Sequence, residues 1–488
     1  MRRFRDSLVV RSTMSADTAY LRTLRRRHQC DAASPSPRAR KVPSAARFGD
    51  RVSGAAYALA LRVLMVAVAA LVDAWKPGGL RYTDVDYDVL RDGAAAVLRG
   101  GSPFERATYR YSPFVSWLLL LDLWTSLPLA KLLFCVCDVW LGQSVGALAR
   151  ERGASPAVAA LWLWNPISII LCTRGSWDAL TVWLVLLALR SKRAPVRAGA
   201  LLGVATHLRL YPVIYSVAFL GHFFFEKRRL AFGPSMKFGV AFAGGVLAPT
   251  LYAHRTYGMV YVEEALAYHL TREDHRHSFS VFWLPIYLAQ AVQNHHLRRL
   301  LKLAPFLAHL ALQTAALLTL RRDLDACVFA QTLLFVAANK VCTAQYFCWW
   351  LPLLIVVAAD KPLNIIRPAR NWVVCCGLWL SVAYALEFRG LAAHALLWGC
   401  SLLFFRANVD LLLAAVASPS SEKKEAPRVL VTLSNGLVET ESWTDDGDTD
   451  DFADDSSDPG TATGWGRGVV NIFFVVLIVL TVLFLLRC

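Results

Sequence analysis

The chain has 488 residues, of which 56% are hydrophobic and 18% are charged, and its mean hydropathy is +0.42. A soluble globular domain carries about 25% charged residues, so this composition excludes a soluble enzyme and favours an integral membrane protein. The net charge of +16 does not indicate a nucleic-acid partner. The Lys and Arg residues fall in an N-terminal tail and in short segments between apolar runs, where such charges orient a protein in a membrane.

The first predicted segment, residues 1–51, is a basic tail rich in Arg and Ser. It contains three consecutive Arg residues and a Ser-Pro-Ser-Pro stretch at residues 34–37, a composition typical of disorder. We interpret it as a cytosolic tail in preference to an organelle transit peptide. The first apolar span, Val52–Ala74, then carries the loop Trp75–Ser112 to the far side, which is the lumen in a eukaryotic endomembrane.

Residues 52–417 are predicted to form an all-α, polytopic membrane domain. Several of its predicted spans are shorter than the roughly 20 residues of a full crossing, as is common where protein or a water-filled cavity covers the backbone. The segment Ala198–Phe225 is predicted to be a bent passage with two legs and Arg209 near its centre. The remaining spans are predicted at residues 128–149, 157–172, 176–190, 236–257, 303–320, 324–338, 346–359, 372–387 and 391–416.

Counting these spans places four polar segments together on the luminal side, around Asp84, Arg110, residues 269–277 and residues 340–345. The same count also places Arg298 and Arg299 in the lumen, against the positive-inside bias. Beyond the membrane domain, residues 418–468 are predicted to be an acidic disordered linker, and residues 469–488 an additional C-terminal transmembrane helix.

The first luminal loop contains an Asp-x-Asp (DXD) motif, Asp84 and Asp86, within the sequence Arg-Tyr-Thr-Asp-Val-Asp-Tyr-Asp. Such a pair can hold a divalent cation against a phosphate, or supply one carboxylate as a general base while the other orients it. Taken alone the motif is equally compatible with a solvated acidic turn. The sequence does not assign the base to one Asp, and it leaves a metal requirement open.

Further motifs follow in a fixed order. They are Ser102-Pro103-Phe104, then Arg-Ala-Thr-Tyr-Arg-Tyr-Ser-Pro at 106–113, Asn165-Pro166, Arg174-Gly175, His-Leu-Arg-Leu-Tyr-Pro at 207–212, Tyr-His-Leu-Thr-Arg at 268–272, Arg-His-Ser-Phe-Ser at 276–280, Asn-Lys-Val-Cys-Thr-Ala-Gln-Tyr-Phe at 339–347 and Glu-Phe-Arg-Gly at 387–390. With the DXD loop, this series resembles the catalytic subunit of glycosylphosphatidylinositol (GPI) mannosyltransferase I, the PIG-M family. The resemblance covers roughly residues 55–416. It departs from the family pattern at Arg209, where the family more often has Lys, and in the tail after Ala417.

The resemblance implies a GT-C type multi-helix glycosyltransferase in the endoplasmic reticulum membrane, with active-site loops on the luminal side. The donor would be dolichyl-phosphate mannose and the acceptor glucosaminyl-phosphatidylinositol, with or without an acyl chain on inositol. The product would carry the first mannose in α1,4 linkage, formed with inversion. A small stabilising subunit resembling PIG-X would be a partner.

For this reaction Asp84 and Asp86 are the candidate catalytic residues, and they are also the ligands of a divalent cation if one takes part. The candidate substrate-binding residues are polar groups that suit a phosphate or a sugar. They are Arg110, Arg209, His269, Arg272, Arg276, His277, Lys340 and Gln345.

Two other functions remain open from the residues alone. Charges and broken helices near the membrane midplane also suit a lipid or sugar transporter or scramblase. A non-catalytic subunit of a glycosylation complex is the other alternative. The position of the carboxylates in a polar loop, outside the spans, argues against a transporter.

Overall fold

A computed structural model of the chain describes residues 48–79, 81–225, 231–271, 278–290 and 295–417. The linker predicted at 418–468, the span predicted at 469–488 and all but the end of the basic tail lie outside the described residues, as do Arg272, Arg276 and His277. Every regular element in the described ranges is a helix, so the predicted all-α class is confirmed.

The helices are numbered here in chain order. They are α1 (Phe48–Trp75), α2 (Val85–Leu98), α3 (Pro113–Leu118), α4 (Leu120–Thr125), α5 (Leu129–Glu151), α6 (Ala160–Leu163), α7 (Pro166–Arg174), α8 (Asp178–Arg190), α9 (Pro195–Leu208), α10 (Ser216–Phe224), α11 (Phe232–Tyr257), α12 (Met259–Tyr261), α13 (Tyr268–Thr271), α14 (Trp283–Ala289), α15 (His295–Leu320), α16 (Leu324–Ala337), α17 (Phe347–Val357), α18 (Pro362–Arg389) and α19 (His394–Val416). Short 3-10 turns cover Pro77–Gly79, Pro103–Glu105, Pro156–Ala159, Tyr211–Tyr215 and Ala344–Tyr346, and a π-helical turn covers Val262–Ala267.

Five of the described helices, α1, α5, α11, α18 and α19, are long and apolar enough to cross a membrane. A sixth crossing is reached if Pro156–Leu163 and Pro166–Arg174, which meet at an angle of 54°, count as one broken span. Three of the shorter apolar helices, Pro305–Leu320, Leu324–Ala337 and Ala344–Val357, lie where spans were predicted, and Tyr211–Phe224 lies in the second half of the predicted bent passage. Pro113–Thr125 is an apolar helix at a place where no span was predicted. The structure therefore has the mixture of full and interrupted spans that is typical of proteins with a polar site inside the bilayer region.

The passage predicted between Ala198 and Phe225 is interrupted near its middle, at Arg209. Helix α9 ends at Leu208, Arg209 is extended (φ −136°, ψ 130°), and the chain resumes through a 3-10 turn into α10. Pro212 lies in the first turn after the break, where its missing N–H costs nothing. The break brings a charged side chain to the centre of an apolar passage.

Helices α9 and α11 pack closely because glycines face each other across the contact. A Cβ atom added at Gly199 would lie 2.4 Å from the Phe238 carbonyl oxygen, and one added at Gly203 would lie 2.5 Å from the Phe242 carbonyl oxygen. Gly245 on α11 approaches Gly203 in return. Small residues at such positions let two backbones approach each other in a membrane, where packing drives helix association.

A buried ion pair connects helices α1 and α5. Arg62 and Asp138 lie 2.6 Å apart through Nη2 and Oδ2, and both side chains are almost fully buried. The guanidinium also donates to the carbonyl oxygens of Ala58 and Leu163 and to the Ser168 hydroxyl. These bonds satisfy a charge that would otherwise be very costly in an apolar environment.

The segment Trp75–Ser112, which was predicted to be the first luminal loop, contains helix α2 in its middle. Tyr87, Leu90 and Ala94 lie on one face of α2 and pack against Val115 and Phe134. Their spacing of three and four residues is that of an amphipathic helix. The DXD motif therefore stands at the start of a packed helix.

Candidate functional site

The residues before α2 are anchored on three sides. Asp73, near the end of α1, accepts hydrogen bonds from the Tyr82 N–H at 2.6 Å and from the Thr83 hydroxyl. Lys131 of α5 donates to the same hydroxyl at 2.5 Å. The Tyr82 hydroxyl pairs with Thr173 Oγ1 of α7 at 2.7 Å. This polar network fixes the chain immediately before the DXD motif.

Asp84 is the N-cap of α2. Its Oδ1 accepts from the Asp86 N–H at 3.0 Å, which satisfies one of the free donors at the start of the helix. Its Oδ2 lies 3.4 Å from Nη2 of Arg174, and its own N–H donates to the Arg174 carbonyl oxygen at 3.0 Å. One carboxylate of the motif is thus held by backbone and ion-pair contacts.

The structure shows why the Arg-Gly motif has glycine at position 175. The φ of Gly175, +103°, lies in a region that favours glycine, and this residue ends α7. A Cβ atom at this position would lie 2.4 Å from Cδ2 of Tyr87 on α2. Glycine therefore lets the end of α7 approach the first turn of α2 and brings Arg174 next to Asp84.

Asp86 has different surroundings from Asp84. Burial raises the pKa of the Asp86 carboxyl, and the nearby negative charge of Asp84 raises it further. A hydrogen bond from the Tyr111 hydroxyl and the positive charge of Arg209 act in the opposite direction. A carboxylate with a raised pKa is the better proton acceptor of two neighbours.

A third carboxylate, Asp178, lies at the start of α8 and is 1% exposed. Its Oδ1 lies 2.8 Å from Nη2 of Arg209 and accepts from the Trp349 indole N–H at 3.0 Å. Its Oδ2 accepts from Nε2 of Gln345 at 2.6 Å and from the Ser176 hydroxyl at 2.9 Å. Asp178 therefore joins two predicted substrate-binding residues, Arg209 and Gln345.

Arg209 is surrounded by aromatic rings. Its guanidinium carbon lies 4.4 Å from the Trp177 ring centroid, 5.5 Å from that of Trp349 and 5.8 Å from that of Tyr111. Tyr211 stacks on Trp349 at 4.1 Å. The rings hold a permanent positive charge at the break of a membrane passage, where cation–π contacts are strongest.

Lys340 is half-buried in the connection between α16 and the turn Ala344–Tyr346, five residues before Gln345. That connection is bonded to the segment that begins at Ser278. The Ser278 hydroxyl oxygen accepts from the Cys342 N–H at 3.0 Å, and the Phe279 N–H donates to the Cys342 carbonyl oxygen at 2.8 Å. The Lys340 loop is thereby tied to the residue that follows His277 in the sequence.

Arg110 and His269 belong to a second, separate group of contacts. Arg110 forms an ion pair with Glu264 of the π-helical turn and lies 4.3 Å from the Tyr268 ring centroid. Nε2 of His269 is 3.1 Å from the Arg110 carbonyl oxygen. Because Tyr111 contacts Asp86, the two groups are connected through adjacent residues of the first loop.

Comparison with known proteins identifies a family for this chain. Residues 171–416 match the family model described as "Mannosyltransferase (PIG-M)". A Danio rerio protein, "GPI alpha-1,4-mannosyltransferase I, catalytic subunit", is 37% identical over 369 residues, which cover 72% of this chain and 93% of that protein. Two proteins named "GPI mannosyltransferase 1" are each 34% identical to this chain. The alignment with the Trypanosoma brucei brucei protein covers 73% of this chain and 91% of that protein. The alignment with the Saccharomyces cerevisiae protein covers 68% of this chain and 87% of that protein.

The chain belongs to the PIG-M mannosyltransferase family.

Several of the PIG-M motifs meet in three dimensions, although they are scattered along the chain, while a contact between Lys340 and them stays a prediction. Asp84, Asp86, Arg209 and Gln345 share one network of contacts, while Arg110 and His269 form the neighbouring group. Their catalytic and binding roles stay predictions. The roles of Arg272, Arg276 and His277 concern residues outside the described ranges.

Sequence reasoning did not single out Asp178, which is the most highly bonded carboxylate of this PIG-M site. A signal was available, because an acidic residue at the start of an otherwise apolar helix is expensive in a membrane and marks a functional position. The sequence named Arg174 only as part of the Arg-Gly motif and gave it no role. Its contact with Asp84 places it beside the DXD motif.

A divalent cation held by Asp84 and Asp86 stays a prediction. Within the described residues, no group of three or more His, Cys, Asp or Glu side chains comes close enough to hold one. Asp84 already accepts a backbone hydrogen bond and faces Arg174, and Asp178 is engaged with Arg209. The positive charges that balance these carboxylates come from the protein itself.

Proposed function

We propose that this chain transfers the first α1,4-linked mannose of the GPI anchor from dolichyl-phosphate mannose to glucosaminyl-phosphatidylinositol, with or without an acyl chain on inositol. The reaction takes place at the luminal surface of the endoplasmic reticulum membrane. Family membership and the names of the relatives support the reaction. The observation that carries the proposal is the convergence of the DXD carboxylates with Arg209 at the break of an apolar passage.

The reaction is a single displacement at the anomeric carbon of mannose. The acceptor hydroxyl oxygen forms a bond to that carbon while the bond to the phosphate oxygen breaks, and the hydroxyl proton passes to a carboxylate. Dolichyl phosphate leaves from the opposite face, which converts the β-linked donor into an α-linked product. Such a step needs a base on one side and positive charge on the other.

Asp86 is the base in this proposal. Its raised pKa suits proton acceptance, and it is half-buried at the first turn of a rigid helix. Asp84 orients it, because the Asp84 carboxylate accepts the Asp86 N–H and contacts Arg174. The two aspartates thus have separate tasks, which the sequence left undivided.

Arg209 stabilises the departing phosphate, and Lys340 adds a second positive charge from the loop that also carries Gln345. A charge-assisted hydrogen bond to phosphate is strong when water is excluded. The rings of Trp177 and Trp349 exclude water from one side of Arg209. A small membrane subunit resembling PIG-X completes the proposal as a stabilising partner.

Mass analysis of lipids tests the reaction in a cell line that lacks its own enzyme of this step. We expect mannosyl-glucosaminyl-phosphatidylinositol to appear when the chain is expressed and to disappear when synthesis of dolichyl-phosphate mannose is blocked. Accumulation of unmannosylated acceptor despite normal expression of the chain and its partner would contradict the proposal. It would leave a transporter or a non-catalytic subunit as the function.

A further inference from the structure

We propose that Asp178 is the positioning residue of this site: it fixes the direction of the Arg209 guanidinium and the Gln345 amide without contacting substrate itself. This inference rests on the proposed function, because it assigns Arg209 and Gln345 to substrate. It gives a task to a residue that lies outside the DXD motif.

The hydrogen-bonding capacity of Asp178 is filled by the protein. A carboxylate offers about four lone-pair sites. The Trp349 N–H donates to Oδ1, and Gln345 and Ser176 donate to Oδ2. The fourth position, beside Oδ1, is occupied by the Arg209 guanidinium in an ion pair. With 1% of its surface exposed, Asp178 has neither the access nor the free acceptor sites to act as a base or to bind a sugar.

The four partners come from three stretches of the chain. Ser176 lies next to Asp178 before α8, Arg209 follows α9, and Gln345 and Trp349 lie in the turn before α17 and in α17. A buried carboxylate is stable only when its partners are correctly placed, so Asp178 restricts Arg209 and the start of α17 relative to α8. The arrangement is that of a hub that holds functional side chains in fixed directions.

The hub leaves Arg209 able to bind an anion. Asp178 approaches Nη2 of the guanidinium, and the rings of Trp177 and Trp349 contact the side chain. Nε and Nη2 of Arg209 are buried and have no hydrogen-bond acceptor among the described residues, the contact of Nη2 with Asp178 being an ion pair. An unsatisfied buried donor is costly, and a phosphate oxygen would satisfy it.

The principal test compares Asp178→Asn with Asp138→Asn by steady-state kinetics in membranes, with rates normalised to the amount of folded protein. Both substitutions break a buried ion pair with Arg at matched side-chain size, but Asp138 pairs with Arg62 of α1, which has no role in the proposed reaction. Asp178→Asn is expected to lower the normalised kcat about ten- to a hundredfold, the range expected when a catalytic group is misplaced by roughly 1 Å. Asp138→Asn is expected to lower the amount of folded protein and to leave the normalised kcat unchanged.

The dependence of kcat on pH separates a positioning role from a merely structural one, because a loss of folded protein alone would not shift it. The charged and titratable groups acting on Asp86 are Asp84 and Asp178, which raise its pKa, and Arg209 and Tyr111, which lower it. Replacing Asp178 with Asn removes a negative charge and leaves Arg209 uncompensated, and both changes lower the pKa of Asp86. On the acid side of the pH profile, the fall in kcat is therefore expected to occur at lower pH in Asp178→Asn than in the wild type. In Asp138→Asn it is expected to occur at the same pH as in the wild type.

Trp349→Phe tests the hub without removing the carboxylate. It deletes one N–H donor to Asp178 while a ring remains to stack on Tyr211. We expect a several-fold lower kcat that falls at the same pH as in the wild type, because the charge of Asp178 is retained. If Asp178→Asn does not accumulate, an unchanged kcat in Trp349→Phe overturns the proposal.

The inference is also overturned if Asp178→Asn loses activity only in proportion to folded protein, with wild-type kcat and pH profile. Failure of the proposed function looks different. In that case the wild-type chain itself forms no mannosylated lipid in the same membranes.

Discussion

At the scale of single residues, Asp86 is expected to determine the acid side of the pH–rate profile. Burial and the charge of Asp84 raise its pKa. A base works only when deprotonated, so the rate falls as pH falls through the pKa of Asp86. The loss is therefore expected to begin at a higher pH than for an ordinary Asp carboxyl, whose pKa is about 3.9.

Measuring kcat over a pH series in detergent or nanodiscs checks this expectation, with protein integrity followed at each pH. A rate that stays constant down to the range of an ordinary Asp carboxyl, in protein that remains folded, would remove Asp86 as the base.

Lys340→Ala is expected to weaken the use of dolichyl-phosphate mannose, because it removes a positive charge matched to the leaving phosphate. Donor kinetics in membranes measure the effect, and we expect a lower kcat/KM for the donor with little change in the KM of the acceptor. Lys361→Ala is the matched control, since Lys361 lies beyond the opposite end of α17 from Gln345. Identical donor kinetics in both variants would exclude Lys340 from the site.

At the scale of helices, the contact between α9 and α11 is expected to limit stability. Gly203→Ala would bring a Cβ atom to 2.5 Å from a backbone oxygen, and we expect a loss of about 1–3 kcal/mol, the usual cost of overpacking. Gly244→Ala on α11 is the control, because a Cβ atom there has no heavy atom within 4 Å and Ala has the higher helix propensity.

Thermal unfolding in detergent distinguishes the two variants. A Gly203→Ala protein as stable as Gly244→Ala would show that the two helices do not depend on this close approach. Because Arg209 directly follows α9, the same change should also reduce activity in the protein that remains folded.

Most helical elements could be predicted from the sequence, because a membrane span is a local property of some 20 apolar residues. The interruption at Arg209 was predictable for the same reason, since a charge and a proline interrupt one apolar run. Helix α2 was missed because the acidic first turn obscured the apolar spacing of Tyr87, Leu90 and Ala94.

The sequence motifs indicated which residues lie near one another in the site, but not which side chains form ion pairs or hydrogen bonds with each other. The pairing of Asp178 with Arg209, or of Arg62 with Asp138, joins residues more than 30 and 70 positions apart. Such pairs depend on how helices pack against each other, which periodicity and composition do not specify. The different surroundings of Asp84 and Asp86 arise from the same long-range packing.

At the scale of the whole molecule, deletion of residues 418–488 is expected to leave substantial mannosyltransferase activity. The match to the PIG-M family model ends at residue 416, and α19 ends there as well. A control deletion that begins at His394 should prevent accumulation, because Ser401 of α19 accepts hydrogen bonds from Trp283 and Trp379. A shorter chain that accumulates normally but forms no product would make the tail part of the enzyme.

The claim that mannose transfer takes place at the DXD loop is tested most directly by product formation in Asp84→Asn and Asp86→Asn, compared at equal protein level with Asp88→Asn. At position 86 Asn keeps the size of the side chain but cannot accept the proton, and loss of a general base costs about a hundred- to ten-thousandfold. At position 84 Asn removes the charge that pairs with Arg174 and orients the base. Asp88 pairs with Arg81 at the surface and should tolerate the change with a mild effect. We expect the first two variants to form almost no mannosylated lipid. Wild-type product formation by both, at low expression, would contradict the assignment of the active site to this loop.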